Sequence, residues 1–354
     1  MRTLDSQATL VFRQSLTSSL HTRMKIAFVS QPEYFRFCYE QDLSADNEVR
    51  EFPFHFGMKE EELADLIAFD ADVNFFFRGE FFPSTLLPRL RGTKIALSSE
   101  PFPRNLGNKL EYTRDSIKRY LDFRSRIRTQ QFDYVFHYDE ASLEFMARDG
   151  LHLSGAFAFP VATDTYVDRQ LEPKWDMFFI GRSTAHRERF FGPLKHHFKF
   201  LHICHGVFGP PLIEYMAQAK INLNVHAEAE ISWEPRMQML LATGAFVISE
   251  PITPNRYLRP GVDYVEATSP SDMYEKVAYY LEHDDERRRI ASSGKARIQE
   301  ILSAKYNFQQ LIVDLHQGKY PRFKTSESSR GVTALAKYFN IEFRARAFIR
   351  KLLK

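Results

Sequence analysis

Glu234-Pro235-Arg236 opens a short apolar helical pattern that runs straight into the apolar stretch Ala245–Ile248. A helix start leaves its first N–H groups without partners inside the helix and carries the positive end of the dipole, so it suits an anion. Pro235 fits the first turn, where its missing N–H costs nothing. Arg236 adds a planar, permanently charged fork that matches phosphate oxygens. Similar chemistry stands upstream. Gly181-Arg182 follows the apolar run Trp175–Ile180, and a glycine there lets backbone approach a ligand closely. The loop His205-Gly206-Val207-Phe208-Gly209-Pro210 follows the next run. Its glycines suit contact with a flat base, and Phe208 offers a ring to pack on it; a plain Gly/Pro turn is the alternative. His226 closes the run Ile221–His226, and Glu250 follows Ala245–Ile248, where it reads either as a partner for a sugar or ribose hydroxyl or as a solvated loop carboxylate.

The first half of the chain has its own set. Gln31, Tyr34, Arg78, Glu80, Glu100 and His137 all fall just past apolar runs. A group that accepts a proton from an attacking hydroxyl is a carboxylate or a histidine, which makes Glu100 the first candidate and His137 the second. The histidines lack metal-ligand spacing: His196 and His197 are adjacent and point to different sides of a helix, and His202 and His205 have no matching partners. No metal site is expected.

The elements that must position these residues alternate. Lys25–Ser30, Val49–Phe54, Val73–Phe77, Lys94–Ser98 and Tyr134–His137 read as strands, with helical patterns at Lys59–Phe69, Asn108–Arg128 and Glu140–Arg148. The segment from Phe159 to Pro173 breaks the pattern and reads as an interdomain hinge. The alternation then restarts, with strands at Trp175–Ile180, Phe200–Cys204, Ile221–His226 and Ala245–Ile248, and closing helices at Ser271–Glu282 and Asp285–Leu302. Thr243-Gly244 reads as a helix end. This predicts an α/β protein of two Rossmann-like units with parallel sheets facing across a cleft, and ligands in such sheets bind beyond the carboxyl ends of the strands. The expected division is a leader at 1–23, a first domain at 24–164, a second at 165–320 and a tail at 321–354. The first strand runs into Ser30-Gln31-Pro32, with no Gly-x-Gly-x-x-Gly turn, which argues against a dinucleotide dehydrogenase.

From Gly181-Arg182 through Ile221–His226, Pro235-Arg236, Leu241–Ile248, Tyr279-Tyr280-Leu281 and Arg289–Gly294, the order resembles the donor-binding half of GT-B glycosyltransferases of the group-1 type related to CgeB spore-maturation proteins. The resemblance implies transfer of a sugar from a nucleotide-diphosphate donor to a hydroxyl of a glycan or lipid-linked acceptor, without a bound metal or other cofactor. Together with the strand-end positions read above, it points Gly181, Arg182, His205, Gly206, Val207, Phe208, His226, Glu234, Pro235, Arg236 and Glu250 to the donor. In the first half, where the resemblance is one of architecture alone, the strand-end positions make Gln31, Tyr34, Arg78 and Glu80 the acceptor candidates and Glu100 and His137 the catalytic ones. One departure stands out: the family's two glutamates, of which the second binds ribose hydroxyls, fall on Ile231 and Met239. Glu228, Glu230, Glu234 and Gln238 are the nearby groups able to substitute. Two competing readings are a nucleotide-sugar epimerase of the same fold and a degenerate transferase kept as a binding or scaffold subunit.

The 354 residues carry a net charge of only +3, too little imbalance for a nucleic-acid binder. Cys38 and Cys204 form neither a disulfide framework nor a zinc motif, which fits a reducing cytoplasm. The last fourteen residues carry five basic groups and one acid, with Ile341, Ala345, Phe348, Ile349 and Leu352 on one helical face. That pattern suits either contact with the inner face of an anionic membrane or a closing helix laid back across the first domain.

Overall fold

A computed structural model describes residues 23–40, 43, 47–229 and 234–352. Ile231, Glu230 and all but the last residue of the expected leader lie outside the described residues.

Two all-parallel sheets carry the fold. In the first, Lys25–Ser30 lies between Glu48–Pro53 and Val73–Phe77, and the sheet continues through Thr93–Ser98, Tyr134–His137 and the short Gly155–Ala156. In the second, Trp175–Ile180 lies between Phe200–Ile203 and Ala219–Asn224, followed by Val247–Ser249 and Val265–Glu266. Each sheet thus has its first strand inside, with the second strand on one side and the third on the other. The chain reverses direction across the sheet there, and the strand ends beside that reversal open a crevice. In the first sheet the crevice falls at Gln31 and Arg78, and in the second at Gly181 and Val225. The central strands are buried on both faces, all five residues of Val73–Phe77 among them, as a sheet covered on both sides requires.

Several expected elements shift. The helix expected from Asn108 begins at Arg114, because Gly107, with φ of +59°, turns a small hairpin of Arg104–Leu106 and Lys109–Glu111 ahead of it. Thr113 and Ser116 then cap the helix reciprocally: the Ser116 N–H donates to Thr113 Oγ1 at 3.0 Å and the Thr113 N–H donates to Ser116 Oγ at 2.8 Å. Ile117, Tyr120, Phe123 and Ile127 form the face that helix buries. The strand expected at Ala245–Ile248 runs Val247–Ser249, after Gly244 ends the preceding helix at φ of +73°.

The expected hinge is not a loose linker. Phe159, Val161 and Ala162 are buried, and Val161 pairs with the second crossing of the chain: its N–H donates to Leu302 O and it accepts from the Ala304 N–H, both at 2.8 Å. The lobes are therefore joined by two strands of chain lying side by side. The second crossing also corrects the expected boundary at 320. The helix Ala304–His316 belongs to the first lobe, where Phe308 packs on Phe28 at 5.0 Å and Phe75 at 4.9 Å between ring centroids. Farther on, Lys324–Thr325 pairs with Leu151–His152, and the helix Arg330–Leu352 rests on Arg114–Ile127, with Val332 in the same apolar cluster as Tyr120 and Phe123 and an Arg114–Glu342 ion pair at 3.3 Å. The closing-helix alternative thus describes how the tail begins. Ile341 stays exposed at 70%.

Candidate nucleotide and acceptor cleft

A cleft of about 630 Å³ opens between the lobes at the two strand reversals. Of the residues expected at the site, Gln31, Tyr34, Arg78 and Glu100 line it from the first lobe, and Val207, Phe208, Glu234, Pro235 and Arg236 from the second. Tyr34 and Phe208 meet edge to face across the opening, with ring centroids 5.5 Å apart. Ile180, Leu212 and Met239 give the second-lobe wall an apolar character.

The chemistry of the second lobe centres on a residue that sequence reading missed. Arg187 stands in the first turn of the helix Ala185–His197, capped by Thr184, whose side chain accepts from the Arg187 N–H. Its guanidinium donates to Val225 O at 2.9 Å and Arg182 O at 2.9 Å, and to both Glu234 oxygens at 2.9 and 3.1 Å. Arg236 reaches the same carboxylate and also donates to Asn224 Oδ1 at 2.9 Å. Both guanidiniums lie over the Phe179 ring, Arg187 at 4.9 Å and Arg236 at 4.5 Å. One carboxylate thus orients two arginines and leaves a net positive charge. Burial alone would raise the Glu234 carboxyl, but Arg236 and Arg187 outweigh it and bring its pKa to about 2. Burial, only partly offset by Glu234, lowers Arg187 to about 10.

Gly181 explains how the pair fits. Its φ is +141°, and a Cβ there would lie 3.2 Å from a guanidinium nitrogen of each arginine and 3.3 Å from the Phe179 ring. The bare backbone leaves room for both side chains. Arg182 does not join them; it is 58% exposed and reaches across the lobes to Asp115 at 3.8 Å.

The other expected donor residues serve the frame. Glu250 is buried away from the cleft, where its oxygens take the His186 ring at 2.8 Å and the His226 N–H at 2.7 Å. The His226 ring is buried and hydrogen-bonds Pro251 O at 2.9 Å, and burial lowers its pKa. His205 and Gly206 sit exposed on the rim and do not line the cleft. Of the expected substitutes for the missing glutamates, Gln238 is fully buried and donates to Phe159 O at 2.8 Å, and Glu234 is committed to the arginines.

In the first lobe, Arg78 occupies the left-handed region at φ of +56°, immediately beyond its strand. It pairs with Glu80 at 3.2 Å and with Glu100 at 2.5 Å, and Arg119 takes the second oxygen of Glu100. Glu80 is buried, its carboxyl pushed up by desolvation against the pull of Arg78, and it supports Arg78 from behind the cleft. His137 is fully enclosed, with Nδ1 engaged by the Asp139 backbone, Nε2 at 2.9 Å from Glu100 O and the Phe102 ring stacked on it at 4.7 Å. That position takes it out of the cleft lining and ties it to the Glu100 backbone. Glu33, which sequence reading did not select, is exposed and lines the cleft with no ion pair or hydrogen bond among the described residues. Among those residues no group of three or more His, Cys, Asp or Glu side chains gathers to hold a metal ion, and no helix is long and apolar enough to cross a membrane.

The family described as glycosyl transferase-like matches residues 182–313, which carry Arg182, Arg187, Glu234 and Arg236. No curated protein matches the chain in sequence. Among solved structures, Anabaena HepE in complex with UDP-glucose superposes with a TM-score of 0.54 at 10% identity, covering 83% of this chain and 100% of that one. Sucrose-phosphate synthase from Thermosynechococcus elongatus gives 0.53 at 10% identity, over 84% of this chain and 100% of the other. An alpha-glucosyltransferase in complex with UDP and a 13-mer DNA gives 0.53 at 11% identity, over 82% and 98%. The architecture is GT-B: two lobes with parallel sheets facing across a cleft.

Proposed function

We propose that the protein is a glycosyltransferase that moves a sugar from a nucleotide-diphosphate donor to an acceptor hydroxyl. The observation that carries this reading is the Arg187–Glu234–Arg236 cluster at the second-lobe strand reversal, inside a glycosyl transferase-like domain and opening on a cleft between two lobes. Preorganised cations aimed at a leaving pyrophosphate stabilise the charge that develops as the glycosidic bond breaks. Arg236 takes the diphosphate, Arg187 and Glu234 hold its fork in place, and Gly181 keeps the approach open. Val207, Phe208 and Leu212 form the wall for the base. The first lobe, 24–164 completed by the helix Ala304–His316, receives the acceptor.

The proton acceptor is better assigned to Glu33 than to Glu100, because both oxygens of Glu100 are paired with guanidiniums. The glycosyl transferase-like family match favours this reading over an epimerase. In a titration with UDP, Arg236→Lys should weaken binding roughly tenfold through loss of the planar fork, with the fold intact. Glu33→Gln should bind UDP like the parent chain and lose turnover of UDP-sugar. Unaltered UDP affinity in Arg236→Lys would remove the donor-site assignment.

Cytoplasmic action at a membrane surface is the second part of the proposal. Tyr338 and Ile341 are exposed at 62% and 70% on the tail helix, beside the exposed Arg344 and Arg346. Such a face suits anionic lipid. Vesicles of phosphatidylglycerol should pull down the full chain and not a form ending at 340; equal recovery of the two forms rejects lipid contact.

A further inference from the structure

A second, smaller chamber of about 120 Å³ adjoins the cleft in the first lobe and shares Gln31 and Arg78 with it. Its remaining walls are four phenylalanines, Phe54, Phe56, Phe77 and Phe81. Phe54 and Phe77 are core residues, whereas Phe56 stands 67% exposed at the surface. Phe56 and Phe81 meet edge to face at 5.5 Å between centroids. The Phe81 ring has guanidiniums nearby, Arg78 at 4.6 Å and Arg126 at 4.8 Å, so its position is fixed.

We infer that this chamber binds an apolar ring of the acceptor, an aryl group beside the hydroxyl that is glycosylated. The inference rests on the glycosyltransferase reading and names the acceptor class it leaves open. Three observations argue for it. An apolar-walled space of roughly this size takes a benzene-sized ring and gains little from water, since it offers few polar partners. Here the polar partners are one amide and one guanidinium, both at the side shared with the cleft. An acceptor ring among the phenylalanines therefore places its hydroxyl at Gln31 and Arg78, at the strand reversal that faces the donor lobe. Finally, the Phe56 ring, although exposed, is held at the chamber by the edge-to-face contact with Phe81 and by the Arg126 guanidinium at 5.5 Å, so the wall is in place before a ligand arrives.

The test is binding of benzyl alcohol to the full chain, followed by protein NMR, with glycerol as the hydroxyl control and UDP titrated in parallel. Benzyl alcohol should bind saturably and shift resonances of Gln31, Arg78 and Phe56, while glycerol shifts none of them. Phe56→Ala, whose ring lies at the surface, should fold normally, bind UDP as the parent does, and weaken benzyl alcohol roughly fivefold to tenfold. UDP binding without saturable benzyl alcohol binding would overturn the chamber assignment and leave the transferase reading standing. Benzyl alcohol affinity unchanged in Phe56→Ala would overturn it as well. Benzyl alcohol binding in a chain that does not bind UDP would remove the acceptor role together with the reading it rests on.

Discussion

His137 shows how a residue suited to catalysis by type can be claimed by structure. Its ring is fully buried, and desolvation, opposed only in part by Asp139, lowers its pKa to about 4. In the unfolded chain it titrates near 6.5. Between these values the unfolded state holds the extra proton, so acid favours unfolding. The contribution of neutral His137 is complete above about pH 6.5, falls as pH drops, and is gone below about 4, a total on the order of 3 kcal/mol. Urea unfolding of the parent chain should therefore lose stability more steeply across that window than His137→Gln does. Parallel curves for the two would show that His137 is not held neutral. The same accounting applies to Glu234 with an acid-range window: its stabilisation is present above about 4.5 and lost as pH falls towards about 2. At this scale the sequence made Arg236 legible as a cleft residue, because Pro235-Arg236 sits at a helix start. It pointed to Arg182, next to Gly181, and gave no reason to prefer Arg187 among the basic residues of the helix Ala185–His197, because only the fold decides which cation reaches Glu234.

Secondary elements hold the site through contacts that local pattern does not encode. The helix Asp284–Ile301 runs beside Arg236–Ala242, and Gly294 makes the close approach possible. A Cβ at Gly294 would lie 2.3 Å from the Asp263 carbonyl oxygen and 2.8 Å from a Leu241 methyl. The carbonyl cannot retreat freely, because Asp263 is clamped by Arg259 at 2.7 Å and Ser293 at 2.9 Å. Helix propensity by itself favours alanine over glycine by about 1 kcal/mol. Here Gly294→Ala should instead destabilise by about 2 kcal/mol, through overpacking. Thermal melting checks the sign; an increase in Tm would mean that the two elements separate at little cost. The central strands were readable as apolar runs because both faces are covered. The weaker ones, Gly155–Ala156 and Val265–Glu266, were not, since two residues carry no period to detect.

At the scale of the molecule, the chain crosses between lobes twice, and the second crossing completes the first core. Phe308 is fully buried among Phe28, Phe75 and Phe157, three rings from the first lobe. Phe308→Ala should cost roughly 3–5 kcal/mol. Hydrogen exchange should then show protection lost in Lys25–Ser30 and Val73–Phe77 as well as in the helix that bears the residue. Loss confined to Ala304–His316 would mean that the first lobe stands without this helix. The ion pairs Arg182–Asp115 and Arg256–Glu140 add contacts across the lobes at 3.8 and 2.7 Å, both with an exposed arginine, and contribute little by themselves.

The sequence by itself determined the alternation of strand and helix, the presence of two αβ units, and the glycine and arginine that meet at the second-lobe strand ends. Each of these is written in neighbouring residues: apolar runs, a proline at a helix start, a glycine after a strand. Tertiary structure decided the strand order, and with it which strand ends border the cleft. It turned Glu250 and His226 inward, enclosed His137, paired Arg187 with Glu234, and sent Phe308 into the opposite lobe. Those outcomes depend on residues far apart in the chain competing for the same partners and the same buried volume, and that competition is resolved only when the whole chain packs.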